Sequence, residues 1–153
     1  MKIKDSTTRK YLFHGKRKDT GEWVEGDLYH NKDSGVYITN YDADGNYYEV
    51  EVIPESVGMF TTLTDKNGTR IFENDIVKFK HDGKWYNGQK KEDYIRNYKI
   101  EFFKSFCFCG YRFINGRTHF TCKQSTLAMH DSEVIGNAYD NPELLEGGGE
   151  NAK

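Results

Sequence analysis

Tyr47-Tyr48-Glu49-Val50-Glu51-Val52-Ile53-Pro54 is the stretch on which the fold turns. In an extended chain Tyr48, Val50 and Val52 fall on one side, and Tyr47, Glu49 and Glu51 fall on the other. A two-residue repeat is the signature of a strand, so the pattern predicts one with a buried face and a wet face. Pro54, which has no amide hydrogen to donate, ends it. Just upstream, Asp44-Gly45 tolerates the positive φ of a tight hairpin. Val36-Tyr37-Ile38-Thr39 supplies a strand before that turn.

The same grammar extends in both directions. Tyr11-Leu12-Phe13 opens the first apolar run, Asp19-Thr20-Gly21-Glu22 turns it, and Trp23 to Tyr29 returns as a strand. Downstream, Met59 to Leu63 precedes the turn Asp65-Lys66-Asn67-Gly68. Asn74-Asp75 then forms a polar corner before Ile76-Val77-Lys78-Phe79, an arrangement common in small SH3-like barrels. Residues 81–93 read as an exposed excursion, and Tyr94, Ile95 and Tyr98 are spaced for one face of a short helix. Tyr98 to Phe103, Phe106 to Ile114, Thr118 to Cys122 and Val134 to Tyr139 read as further strands. Asn141 to Leu145 reads as a single helical turn. The predicted fold is mainly β, in small barrel-like (SH3-like) or sandwich-like lobes with one or two short helices. Residues 1–146 form the domain, divisible at about 1–60 and 61–146, and 147–153 form a flexible Gly-rich tail.

Composition agrees with strands. Of 153 residues 15% are aromatic, with 11 Tyr and 10 Phe, and 15 Gly serve turns. A chain of this size buries roughly two-thirds of its unfolded surface and needs no disulfide or metal to fold. Three cysteines, an odd number, suit a reducing compartment. The chain has no apolar run long enough for a membrane span and no signal-peptide core, so a cytoplasmic location without membrane contact is expected.

The net charge of −2 conceals segregation. Residues 1–18 carry seven Lys/Arg and one Asp; residues 19–60 carry ten acids and one Lys. Residues 78–104 are net basic and 131–153 net acidic. Such blocks attract one another within or between subunits, so a homo-oligomer is expected. With a pI near 6.2, broad sequence-independent DNA binding is not.

Three sets of residues invite chemistry. Cys107, Cys109, Cys122 and His119 could ligate zinc, but the spacing supplies no second ligand pair, and packed thiols are the preferred reading. Asp42-Ala43-Asp44-Gly45-Asn46 begins like a calcium loop, yet counting from Asp42 places Tyr47 where Gly is required and Ile53 where Glu is required. Between Lys78 and Lys99, bases alternate with aromatics. Lys84, Trp85, Lys90, Lys91 and Arg96 are the candidate binding surface there, as in barrels that stack bases of single strands on aromatic rings. The competing reading, which is preferred, is a solvated basic face with its aromatics turned inward. The five histidines are scattered without a recognisable nucleophile setting, and no catalytic residue, metal or cofactor is assigned.

Three stretches resemble the YopX family of small phage and prophage proteins: Phe13 to Gly26, Ile53 to Val77, and Val134 to Leu145. The resemblance covers about 50 of 153 residues in one order. The family usually has Gly at the position of Asn74, and the segment from His81 to Phe120 fits the family pattern poorly. The resemblance implies a mostly β fold, self-assembly and a phage or prophage origin in a bacterial host. It implies no reaction. The expectation is therefore a non-catalytic accessory protein acting by macromolecular binding, with itself and with a host or phage protein. Two alternatives are a nucleic-acid-binding regulator using residues 78–99 and a small metalloprotein or enzyme using the Cys/His set.

Overall fold

The computed structural model describes residues 11–81, 85–86, 89–90, 94–104, 109–115, 118–121 and 131–145. The chain is mainly β and divides into two compact units, Met1–Thr62 and Leu63–Lys153.

The first unit contains β1 (Phe13–Lys16), β2 (Trp23–Asn31), β3 (Gly35–Tyr41), β4 (Tyr47–Val52), a 3-10 turn at Pro54–Ser56, and β5 (Gly58–Thr64). Its strands are antiparallel in the order β4-β3-β2-β1-β5, and β6 (Arg70–Phe72) follows β5 in the chain. β2 serves two partners in succession. Trp23 to Gly26 pair with β1, and Asp27 to Asn31 pair with β3. The handover falls at Gly26, where an added Cβ would run into the Thr39 carbonyl oxygen and stand 3.0 Å from Ile38 Cγ2. Only glycine fits that approach.

The strands curl until the end of β4 meets the end of β1 at the bridge Arg17↔Val52. Lys18 N–H donates to Glu51 O at 3.0 Å, and Ile53 N–H donates to Lys16 O at 2.8 Å. Ser56 secures this seam, its Oγ accepting from Lys16 N–H at 2.8 Å and donating to Ile53 O at 2.6 Å. Ile38 and Val52 lie fully buried beneath it, 3.1 Å from where a Cβ on Gly15 would stand. The ladder is not continuous around the circle, so the sheet is curled and open, not a closed barrel.

The second unit contains β7 (Asp75–His81), β8 (Trp85–Tyr86), β9 (Gln89–Lys90), β10 (Tyr94–Lys104), β11 (Cys109–Asn115), β12 (Thr118–Thr121), β13 (Ser132–Asn137) and a 3-10 turn at Pro142–Leu145. Five strands form one antiparallel sheet in the order β12-β11-β10-β7-β13. Ile71, Val77, Tyr98, Ile100 and Phe113 make its core, with Leu63, Phe79 and Val134 packed against them. Tyr98 meets Phe113 edge-to-face at 6.0 Å, a favourable quadrupole geometry.

The helix expected through Tyr94, Ile95 and Tyr98 is instead the start of β10. Burial there has period two: Tyr98 and Ile100 are buried while Ile95 is 59% exposed. Pairing with β7 from Tyr94 to Lys99 fixes this segment as a strand, and that overrides a weak local helical spacing.

Two buried carboxylates hold the corners. Asp75 accepts from Phe72 N–H at 2.8 Å and from Asn137 Nδ2 at 3.1 Å. The preceding Asn74 has φ 69°. Asn is one of the few side-chain-bearing residues that tolerate this left-handed value, and it serves here. Asp65 accepts from the backbone N–H groups of Asn67 at 2.8 Å, Thr69 at 2.9 Å and Val134 at 3.0 Å. Burial pushes its carboxyl up, but the three donors outweigh burial and leave it below the ordinary value.

Candidate functional site

The basic–aromatic segment is only partly a surface. Lys84 and Lys91 lie outside the described residues. Trp85 and Lys90 pair across the β8–β9 hairpin, and Tyr86 pairs with Gln89. Arg96 is half-buried on β10 opposite Phe79. Tyr98 is 1% exposed in the core, so it offers no ring for stacking. Lys78 approaches Glu133 at 3.8 Å, and Lys99 lies 3.5 Å from Glu101.

Of the Cys/His set, Cys107 and Cys122 lie outside the described residues. The sheet register pairs Cys109 with Lys104 and His119 with Ile114. Cys109 and Ile114 are five residues apart on β11, so the backbone positions of Cys109 and His119 are separated by about 16 Å along the strands. Zinc bonds of about 2 Å require ligands to converge, and the register carries these two backbones apart. Among the described residues no group of three or more His, Cys, Asp or Glu side chains is placed to hold a metal.

A different surface emerges from the pairing of β2, β3 and β4. Register aligns Asp27 with Thr39 and Thr39 with Glu49; it aligns Tyr29 with Tyr37, Tyr37 with Glu51, and Tyr41 with Tyr47. All of these occupy the face opposite Ile38, Val50 and Val52, because successive side chains alternate. Tyr41 is 65% exposed, Tyr47 59% and Tyr29 48%. The rings stand in pairs, Tyr41 with Tyr47 at 5.7 Å and edge-on, Tyr29 with Tyr37 at 6.4 Å. Lys18 Nζ reaches Glu51, and that ion pair raises the lysine above its ordinary value. Asp27 and Glu49 have no ion-pair or hydrogen-bond partner among the described residues. At the turn end, Asp42 accepts from Asp44 and Asn46 N–H at 2.9 and 2.8 Å, and the Asn46 donors draw its carboxyl below the usual range. The result is a solvent-facing sheet surface of tyrosines set among carboxylates.

The alternation of Tyr47, Glu49 and Glu51 is the trace of this face in the sequence. Its extent depends on which strands lie alongside, and that is a long-range fact.

What the fold and this face define is an open-sheet β protein with a displayed aromatic–acidic surface. The chain belongs to the YopX family: the family model described as "YopX protein" matches residues 12–146. Among solved structures it is similar to protein EF1440 from Enterococcus faecalis, at 20% identity and a TM-score of 0.48, over 87% of this chain and 96% of that one. No curated protein matches the chain. Among the described residues no helix is long and apolar enough to cross a membrane.

Proposed function

We propose that this is a phage- or prophage-encoded accessory protein of the bacterial cytoplasm, which works without catalysis by assembling with itself and binding another macromolecule. The observation that carries this reading is where the carboxylates and rings are placed. In the second unit Asp65, Asp75, Glu101 and Glu133 are occupied by structural hydrogen bonds and ion pairs. On the β2–β4 face, Tyr29, Tyr41, Tyr47, Asp27 and Glu49 are turned to water. Exposed tyrosines in a contiguous group are the composition of contact surfaces. Family membership supports the origin and the self-assembly. Light scattering across a concentration series, with affinity capture from infected host cells, tests the proposal. A stable oligomer and one reproducibly retained, identified partner support it. A monomer at every concentration that retains nothing, or turnover of a small substrate, removes it.

A further inference from the structure

We infer that the outer face of β2–β4 docks a Lys/Arg-rich segment of another polypeptide, an inference that rests on the binding role proposed above. Charge and ring geometry select this occupant. Asp27 and Glu49 lie in one cross-strand row through Thr39, with Tyr29 and Tyr37 in the next row on one side and Tyr41 and Tyr47 in the next row on the other. A guanidinium or ammonium laid across the row meets a carboxylate and, one register step away, an exposed ring. Arg and Lys are the side chains that gain from both contacts at once. Nucleic acid is disfavoured on this face because its phosphates would confront the carboxylates.

The occupant is a different protein and not a second copy, because this chain's own described cations are largely committed. Arg17 pairs with Asp19, Lys18 with Glu51, Lys66 and Lys78 with Glu133, and Lys99 and Arg112 with Glu101. Lys16, Arg70, Lys80 and Arg96 have interactions of their own. Among the described residues only Lys32 and Lys104 could bring uncommitted charge from a second copy to this face, whereas a basic segment from elsewhere carries it along its whole length.

The test uses the full chain and a short fluorescent peptide alternating Arg with Thr, read by anisotropy beside an equal-length Glu–Thr peptide and a single-stranded oligonucleotide. Saturable binding of the basic peptide alone is expected. Tyr41→Ser with Tyr47→Ser should weaken it about tenfold, as should Glu49→Gln, and Asp27→Lys with Glu49→Lys should abolish it. Circular dichroism melts of each variant exclude unfolding as the cause. The inference is overturned if the peptide fails to saturate at low salt, if the variants bind as the parent does, or if the oligonucleotide competes for the same residues. The same variants separate the two levels of the argument. If they lose the peptide and also lose the partner captured from cells, both levels stand. If they still retain that partner, the docking face fails while the binding role stands. A parent chain that associates with nothing fails both.

Discussion

On the β2–β4 face of the first unit, Asp27 and Glu49 have no partner among the described residues and stand beside Tyr29, Tyr41 and Tyr47, which are 48% to 65% exposed. On the second unit, Glu101 sits between Lys99 and Arg112, Glu133 between Lys66 and Lys78, and the Arg112 guanidinium lies 5.5 Å from the Phe103 ring centre. The residue types are nearly the same, but their partners differ. In the second unit Arg112 donates to Glu101 Oε2 twice, at 3.0 and 2.8 Å. Burial raises the Glu101 carboxyl, and Arg112 with Lys99 more than offsets that. Charge at Glu101 and Glu133 is used to close a surface, whereas at Asp27 and Glu49 it is left available. The contrast teaches that a β sheet's outer face is assigned by cross-strand neighbours, not by composition.

The sharpest way to break the contrast is to truncate one tyrosine from each side. Tyr98→Ala, in the second unit's core, should cost about 4 kcal/mol in denaturant unfolding. Tyr41→Ala, on the open face, should stay within about 0.5 kcal/mol. Equal losses would mean that the Tyr41 ring is structural and the face is not on offer. Next in size is Gly26→Ala, which drives a methyl into the Thr39 carbonyl and should cost about 3 kcal/mol. An unchanged melting curve would deny the close approach of β2 to β3.

Asp65→Asn comes third. It keeps the shape but turns an amide toward backbone donors, and should cost about 2 kcal/mol. Folding lowers the Asp65 carboxyl, so its stabilisation is complete above the unfolded value of about 3.9 and is lost as pH falls through the folded value. Urea titrations from neutral pH downward should therefore fall less steeply for the variant than for the parent; parallel curves would contradict this. The smallest effect belongs to the corner. Asn74→Ala should cost about 1 kcal/mol, while Asn74→Gly should be within about 0.5 kcal/mol of the parent. A neutral alanine would show that the left-handed conformation is not required in solution.

Much of the scaffold was legible because strands and turns write themselves locally. The alternation from Tyr47 to Val52, the Asp44-Gly45 hairpin and the Asp65 to Gly68 turn all appear where the residues place them. The start of β10 is not legible locally because Tyr94, Ile95 and Tyr98 satisfy a helical spacing by accident, and only pairing with β7 decides the matter. Sequence likewise shows Tyr98 only as an aromatic among bases, and the sheet shows that it faces the core. The tyrosine–carboxylate face escaped notice because Tyr29, Tyr37 and Glu51 become neighbours only through two strand registers.

The bond from Val134 N–H to the Asp65 carboxylate joins residues 69 positions apart, and β13 covers one flank of β7 along its length. During synthesis the first unit's ladder has all of its strands once β5 has left the ribosome, whereas β7 keeps a bare hydrogen-bonding edge until β13 follows. A ribosome that stalls before residue 132 would thus release a half-clothed sheet, ready to pair with the wrong chain.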